Sequence, residues 1–144
     1  MDSLAQHLVE QSCGALPQLY ARYADMGDAE ALASLFCEDG VYIRPFEENA
    51  PIVGRDQIYA MFAERAPRLG RHIVSNILVD VIDSHHATGT NYMTVMSTNG
   101  GNAPPQESNA VFVGECADEY RLTSDGWKFA KRAGMIALHL DGKF

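Results

Sequence analysis

The chain has 144 residues, which suits one domain over residues 1–144, and 47% of them are apolar, enough to build a core at this length. Nineteen acidic residues against eleven basic ones give a formal net charge of −8. An acidic surface repels phosphate backbones and anionic lipids, so we expect no nucleic acid and no membrane among the partners.

The N-terminal part of the sequence has the apolar spacing of helices. Residues 2–13 and 16–25 both place apolar side chains three and four positions apart, and Pro17 either kinks one long helix or starts a second. Gly27 suits the left-handed position that ends a helix, and Asp28 suits the N-cap of the next one. The remaining predicted helices cover 29–36 and 54–67.

Most of the remaining sequence has the composition of strands, with turns at 83–86 and 124–126 and a loop over 97–107. Helices followed by a run of long strands favour an α+β fold with a mostly antiparallel sheet rather than βαβ units. We expect this curved sheet to close, with the N-terminal helices, around an internal pocket, so that the domain is shaped like a cone. The predicted strands cover 41–44, 71–82, 87–98, 110–122 and 127–140, and a loop covers 47–52.

The sequence contains no motif for a metal site or a catalytic nucleophile. Cys13, Cys37 and Cys116 are far apart, no Cys/His cluster has zinc spacing, and GxSxG does not occur. We therefore expect no metal and no cofactor. The segment MDSLAQHLVEQSCG lacks the basic and apolar regions of a secretory signal, and no apolar run reaches the ~18–20 residues of a membrane span. These features predict a cytoplasmic protein with reduced cysteines.

Four segments resemble the nuclear-transport-factor-two-like (SnoaL-like) superfamily. They are LYARYADMGDAEALASLFCEDGVY at 19–42, IVGRDQIYAMF at 52–62, RHIVSNILVDV at 71–81 and DEYRLTSDGWKFAKR at 118–132. The resemblance implies a single SnoaL-like domain with a cone-shaped fold, and a homodimer formed through the open face of the sheet. Because this fold hosts unrelated activities, the function must be argued from the site.

Two residues match a more specific pattern within the superfamily. Asp25 and His72 fall where scytalone dehydratase and lindane dehydrochlorinase carry an Asp and a His, so the resemblance implies an acid–base pair. A histidine can accept a proton near neutral pH, and an adjacent carboxylate fixes its tautomer and stabilises the imidazolium. The pair predicts a cofactor-independent lyase, isomerase or polyketide-cyclase type of enzyme that acts on a small apolar carbonyl or ring compound.

Further residues are expected to line the pocket beside this pair. Tyr20 matches the oxyanion-binding tyrosine of ketosteroid isomerases and Asp118 matches their protonated aspartate, but Arg44 stands where their base is expected. Strand alternation with Phe112 also turns Asp118 inward, where Arg44 could pair with it. A second histidine of the dehydratase type would fall at Ser97, and the arginine of the lindane enzyme has no clear match on the final strands. The predicted substrate-binding residues are Tyr20, Tyr42, Asn76, Tyr92, Phe112 and Asp118.

Other interpretations of these residues compete with catalysis. Asp25 can be a solvated residue at a helix end, His72 a strand histidine with a structural hydrogen bond, and Tyr20 a core tyrosine.

A non-catalytic ligand-binding or assembly domain, like the small subunits of ring-hydroxylating dioxygenases, is a second hypothesis for the function. It predicts a filled or shallow cone in which Asp25 and His72 are out of reach of each other. A ketosteroid-isomerase-like enzyme that uses Asp118 and Tyr20 is a third hypothesis, which Arg44 weakens.

Overall fold

The computed structural model of the protein describes residues 1–46 and 50–140. Helices and one sheet occur in these ranges, which confirms the predicted α+β fold class. None of the helices in these ranges is long and apolar enough to cross a membrane. The elements are α1 (Ser3–Met26), α2 (Ala29–Ala33), β1 (Phe36–Ile43), β2 (Pro51–Val53), α3 (Arg55–Ala63), β3 (Gly70–Val81), β4 (His86–Ser97), β5 (Ala110–Thr123) and β6 (Gly126–Leu140).

Helix α1 is continuous, and Pro17 lies inside it. The carboxylate of Asp2 caps its start by accepting the backbone N–H of Ala5 at 2.8 Å. Gly27 ends it in the left-handed conformation, with φ of 70°, which places Asp25 in the last turn. The helix packs against the sheet through Val9, Cys13, Leu16, Pro17, Tyr20 and Ala21.

The segment after α2 differs from the predicted helix over 29–36. The helix ends at Ala33, and Phe36 begins β1 because it pairs with Phe129 of β6. The carbonyl of Leu35 accepts the backbone N–H of Phe129 at 2.8 Å. Leu35 and Phe36 are both buried, as an inward helix face would also require. Their apolar spacing fits either structure, so the long-range pairing with β6 decides between them.

The predicted loop over 47–52 is only partly correct. Residues 47–49 lie outside the described residues. Residues Pro51–Val53 form β2, which pairs antiparallel with β1, so that Ile52 lies opposite Tyr42. This short strand extends one end of the sheet.

One sheet contains all the described strands, in the order β2-β1-β6-β5-β4-β3. Neighbouring strands are antiparallel except β1 and β6, which are parallel. The register shifts between β3 and β4 and at two places between β5 and β6, and such bulges bend a sheet. The long strands β3 to β6 form a meander whose ends differ from the prediction by no more than one residue. The curved sheet and α1 enclose the core between them.

Candidate active site

The concave side of the sheet encloses a cavity of about 660 Å³. Its wall is formed by α1, β1, the strands β3 to β6 and the segment between α3 and β3. A smaller space of about 240 Å³ adjoins it near the end of α1. Spaces of this size accommodate small molecules. Five residues line both spaces and mark their junction, namely Arg65, Arg68, His72, Val95 and Ser97.

Asp25 and His72 are in contact at this junction. The Nδ1 atom of His72 is 2.6 Å from Oδ1 of Asp25, and the backbone N–H of His72 lies 3.1 Å from each of the two carboxylate oxygens. The side chains of His72 and Asp25 are only 13% and 12% exposed, so the pair is largely shielded from solvent. The structure thus brings together the two residues that the sequence analysis paired.

The hydrogen bonds of Asp25 fix the tautomer of His72. An ionised carboxylate only accepts hydrogen bonds, so Nδ1 of His72 carries the proton and donates it to Asp25. A neutral imidazole in this state has its lone pair on Nε2. His72 lines the cavity wall, so this tautomer is suited to accept a proton from a molecule bound in the cavity.

Tyr20 and Tyr42 contribute a buried pair of hydroxyl groups to the cavity wall. Their oxygen atoms are 2.8 Å apart, and the two residues are 4% and 5% exposed. Burial raises the pKa of both phenols, and the neighbouring Tyr42 raises the pKa of Tyr20 further. The rings of Tyr20 and His72 meet edge to face, with centroids 6.4 Å apart. Both hydroxyls therefore stay protonated at neutral pH; one donates to the other, and the remaining O–H can donate to an oxygen atom of a ligand.

Arg132 is a fully buried cation in the cavity wall that the sequence analysis did not identify. Its Nη1 donates to Oδ2 of Asp118 at 2.7 Å, and its guanidinium carbon lies 4.5 Å from the ring centre of Tyr20. Burial lowers the pKa of Arg132 and is the largest cause, but Asp118, Cys116, Tyr20 and Tyr42 together raise it by more, so the net shift is upward. A fixed positive charge beside Tyr20 can stabilise negative charge that develops on a ligand.

A β-bulge explains why strand alternation does not reveal Arg132. Consecutive residues of β5 pair with Lys131 and Phe129, so Ala130 is an extra residue on β6. Strict alternation from the buried Phe129 would turn Arg132 to the outer face of the sheet. The extra residue reverses the phase, and both side chains are buried. The charged segment KFAKR at 128–132 therefore contains one arginine, Arg132, whose side chain points inward.

Asp118 is buried, as predicted, but it does not line the cavity. Its Oδ2 also accepts Nδ2 of Asn91 at 2.8 Å and the hydroxyl of Tyr120 at 3.2 Å, while its Oδ1 has no hydrogen-bond partner among the described residues. The prediction that Asp118 lines the substrate pocket is therefore wrong, because Arg132 occupies the wall in its place. The cation that pairs with Asp118 is likewise Arg132 and not Arg44.

Asn76 and Tyr92 also lie away from the cavity, contrary to the prediction. Asn76 is exposed at the bulge of β3, where its φ of 52° interrupts the alternation of the strand. Tyr92 is 42% exposed because its neighbours on β4 take the inward positions. Phe112 does line the cavity, and its ring centre is 5.4 Å from that of Phe46.

Other polar groups complete the cavity wall. Ser97 lines it at the position where a second histidine was considered. Cys116 lines it as well, and burial raises the pKa of its thiol. Within residues 1–46 and 50–140, no group of three or more His, Cys, Asp and Glu side chains is placed to hold a metal ion.

Solved structures of several other proteins have the same fold. A protein from Novosphingobium aromaticivorans that is provisionally named a scytalone dehydratase is 19% identical, with a TM-score of 0.81 over 99% of this chain and 93% of that chain. A type 2 hexachlorocyclohexane dehydrochlorinase is 14% identical, with a TM-score of 0.80 over 96% and 92% of the two chains. An NTF2-like protein with a cystatin-like fold, also from N. aromaticivorans, is 26% identical, with a TM-score of 0.67 over 96% and 87%. These likenesses show that the chain has the NTF2-like, cystatin-like fold.

Family membership follows from the sequence itself. No curated protein sequence matches the chain. The sequence model of the SnoaL-like domain family matches residues 9–133, which is most of the chain and includes Asp25, His72 and Arg132. The chain therefore belongs to the SnoaL-like domain family.

Proposed function

We propose that the protein is a cofactor-independent lyase, isomerase or cyclase that removes a proton from a carbon atom of a small, largely apolar carbonyl or ring compound. His72 is the general base, and Asp25 orients it. The observation that carries the proposal is the 2.6 Å hydrogen bond between Nδ1 of His72 and Asp25 at the wall of a cavity of about 660 Å³. Two proteins of similar structure are named as a dehydratase and a dehydrochlorinase, and both names describe eliminations.

In the proposed reaction His72 both removes the proton from the substrate and returns it, so no other proton carrier is needed. Nε2 of His72 takes the proton from the substrate carbon, and Asp25 stabilises the imidazolium that forms. The electron pair left on carbon either expels a leaving group from the adjacent carbon or moves into a carbonyl group to form an enolate. In a dehydration the imidazolium returns the proton to the departing hydroxide; in an isomerisation it returns the proton to another carbon. General acid–base catalysis of this kind contributes about 10²–10⁴-fold in rate.

Tyr20, Tyr42 and Arg132 supply the electrostatic part of the proposal. An enolate or a departing oxygen needs a hydrogen-bond donor, and the two tyrosine hydroxyls are protonated, buried and held by each other at 2.8 Å. The guanidinium of Arg132 packs on the ring of Tyr20 and adds a fixed positive charge. A donor of this kind is worth about 10²–10³-fold in rate.

The competing hypotheses have less support. A non-catalytic domain predicts a filled cone with Asp25 and His72 apart, whereas the cavity is open and the pair is in contact. A ketosteroid-isomerase-like mechanism needs Asp118 as a donor to the substrate. Asp118 is instead bound to Arg132 outside the cavity wall, and Arg44 stands in the place of the base.

Solvent deuterium exchange tests the proposed base without knowledge of the natural substrate. The full chain is incubated in D₂O with a panel of small cyclic ketones such as 1-tetralone, and loss of the proton next to the carbonyl is followed by NMR. We expect exchange above the buffer rate for members of the panel that fit the cavity. We expect His72→Gln to reduce the enzymatic rate by about 10²–10⁴-fold, because the glutamine cannot accept the proton.

His86→Gln is the matched control for this experiment. Nδ1 of His86 is also bonded to an aspartate, Asp83 at 3.0 Å, but the pair lies in an exposed turn outside the cavity. The control should keep the wild-type exchange rate, and circular dichroism should show both variants folded. Exchange that is undiminished in folded His72→Gln would exclude His72 as the base.

A further inference from the structure

The cavity is basic although the chain carries a net charge of −8. Arg132 is paired with Asp118, and among the described residues that line the main cavity Glu115 is the acidic one. At physiological ionic strength charges are screened over about 8 Å, so a bound molecule senses the residues of the wall more than the distant acidic surface. The arginines that line the main cavity are Arg44, Arg65, Arg68 and Arg132.

Arg65 packs on an aromatic ring and has no acidic partner among the described residues. Its guanidinium carbon lies 4.4 Å from the ring centre of Phe62, and its Nη2 is 3.6 Å from Sδ of Met61. The Phe62 ring in turn packs 6.0 Å and 5.7 Å from the rings of Tyr20 and Tyr42. Among the described residues, no carboxylate forms an ion pair with Arg65. A guanidinium that packs over an aromatic ring keeps N–H groups available for an anion.

Arg68 lies three positions further along the same segment and also has no ion pair or hydrogen bond among the described residues. It lines both the main cavity and the smaller space, as do Arg65 and His72. The two acidic residues that line the smaller space are otherwise engaged, because Asp25 bonds to His72 and Asp28 caps α2 through the N–H of Ala31. Two guanidinium groups that form no ion pair with the described residues thus border the junction where the proposed base lies.

We propose that the natural substrate is an anion, a small ring compound that carries a carboxylate, and that Arg65 and Arg68 bind this carboxylate. A planar guanidinium presents a pair of parallel N–H groups that matches the two oxygen atoms of a carboxylate. The ring of the substrate then lies in the apolar part of the cavity, with its reacting carbon towards His72. This inference rests on the proposed function for the role of His72 and names the charge of the molecule on which it acts.

Binding of a matched pair of probes tests the proposal on the full chain. 2-Naphthoate and methyl 2-naphthoate have the same ring and differ in charge, and their dissociation constants are measured by isothermal titration calorimetry at low salt. We expect 2-naphthoate to bind about tenfold more tightly than the ester, since charge-assisted hydrogen bonds are about twice as strong as neutral ones. We expect Arg65→Gln with Arg68→Gln to abolish this preference.

Arg22→Gln with Arg71→Gln is the matched control, because it removes the same charge from exposed arginines outside both spaces. It should keep the preference for the anion. Equal binding of acid and ester to the wild type, or a preference that survives in the Arg65 and Arg68 double variant, would overturn the proposal. Tighter binding of 2-naphthalenesulfonate than of 2-naphthoate would overturn the choice of a carboxylate.

The two proposals can fail separately. His72→Gln should retain the preference for 2-naphthoate, because binding depends on the arginines and not on the base. If the preference is present but no ketone or keto acid exchanges deuterium, the carboxylate site stands and the catalytic role of His72 fails. If exchange depends on His72 but acid and ester bind alike, the base stands and the carboxylate site fails.

Discussion

Two opposite charges lie in the interior at Arg132 and Asp118, which are 0% and 2% exposed. Nη2 of Arg132 also donates to Oδ1 of Asn91 at 3.4 Å, so the ion pair is part of a buried hydrogen-bond network. Removing one partner of a buried pair leaves the other charge uncompensated in a medium that solvates it poorly. The network therefore fixes the position of a cation in the cavity wall and makes the fold depend on both partners.

We expect Asp118→Asn to lower the free energy of unfolding by about 3–5 kcal/mol, because Arg132 keeps its charge and loses its counter-charge. Urea denaturation at neutral pH measures this loss. Asp39→Asn is the control, since Asp39 pairs with Arg121 at the surface, where such a pair contributes about 0–1 kcal/mol. Similar losses in the two variants would show that burial adds nothing to the value of the pair.

Buried weak acids make the protein sensitive to alkali. Burial raises the pKa of Cys13 to about 12, whereas a thiol in an unfolded chain has a pKa of about 8.5. Because the pKa is higher in the folded state, the contribution of Cys13 is complete below about pH 8.5 and is lost as the pH rises towards 12. Burial raises the pKa of Tyr20 and Tyr42 as well, so their contributions are lost above about pH 10.

We expect the free energy of unfolding to fall from about pH 8.5 upwards, by at most about 1.4 kcal/mol per pH unit for each such group. Urea denaturation at a series of pH values measures the slope. In Cys13→Ala the slope between about pH 8.5 and 10 should be shallower than in the wild type, because the tyrosines of the unfolded chain are still protonated there. Identical slopes would contradict the assignment to Cys13.

The residues of the site differ in how far the sequence could reveal them. Asp25 and His72 are 47 positions apart, and only the resemblance to related enzymes indicated that they meet. Tyr20 and Tyr42 line the cavity, and their role in binding a substrate stays a prediction. Arg132 was missed because the bulge at Ala130 reverses the alternation of β6. A bulge depends on contacts with the neighbouring strand, which a pattern along one strand does not contain.

At the scale of elements, the end of α1 sets the position of the proposed acid–base pair. Gly27 has φ of 70°, and a methyl group added there would meet nothing within 4 Å, so its conformation alone favours glycine. Gly14 lies inside the same helix, and an added methyl group would be 3.6 Å from Cγ2 of Ile77, an ordinary contact. The same substitution should therefore have opposite effects at the two positions.

We expect Gly27→Ala to lower the free energy of unfolding by about 1–2 kcal/mol, the cost of a left-handed conformation for a residue with Cβ. We expect Gly14→Ala to raise it by about 0.5–1 kcal/mol, because alanine loses less conformational freedom in a helix interior. Thermal and urea unfolding of the two variants measure both changes. A stabilised Gly27→Ala variant would contradict the role of the left-handed cap.

The sequence predicted some of the helices and strands more accurately than others. The strands β3 to β6 have long β-rich runs separated by turns, and the sequence placed their ends within one residue. Strand β1 was largely missed because the spacing of Leu32, Leu35 and Phe36 suits a helix as well. What makes Phe36 a strand residue is its pairing with Phe129, and a local pattern does not report on a partner so distant in sequence.

At the scale of the whole molecule, the cavity and the outer face of the sheet differ in character. The cavity is rich in arginine, whereas the outer face carries a row of Tyr92, Glu115 and Met135 on three neighbouring strands, the last two of which also border the cavity. Tyr92 and Met135 are 42% and 51% exposed, so this face offers apolar surface to a partner. Pairing of two copies of the chain through it remains a prediction.

The parallel pairing of β1 with β6 limits how far the sheet can form while the chain is being synthesised. Phe36 and its partner Phe129 are separated by 93 residues, and β6 is also the strand that joins β1 and β2 to the rest of the sheet. At a synthesis rate of about 5–20 residues per second, β1 leaves the ribosome roughly 5–20 s before its partner exists. During that interval β1 lacks the strand beside which it lies in the sheet, although β3, against which α1 packs, has already been made. The cone therefore closes only once β6 has been made, and β1 is the strand that waits longest for a neighbour in the sheet.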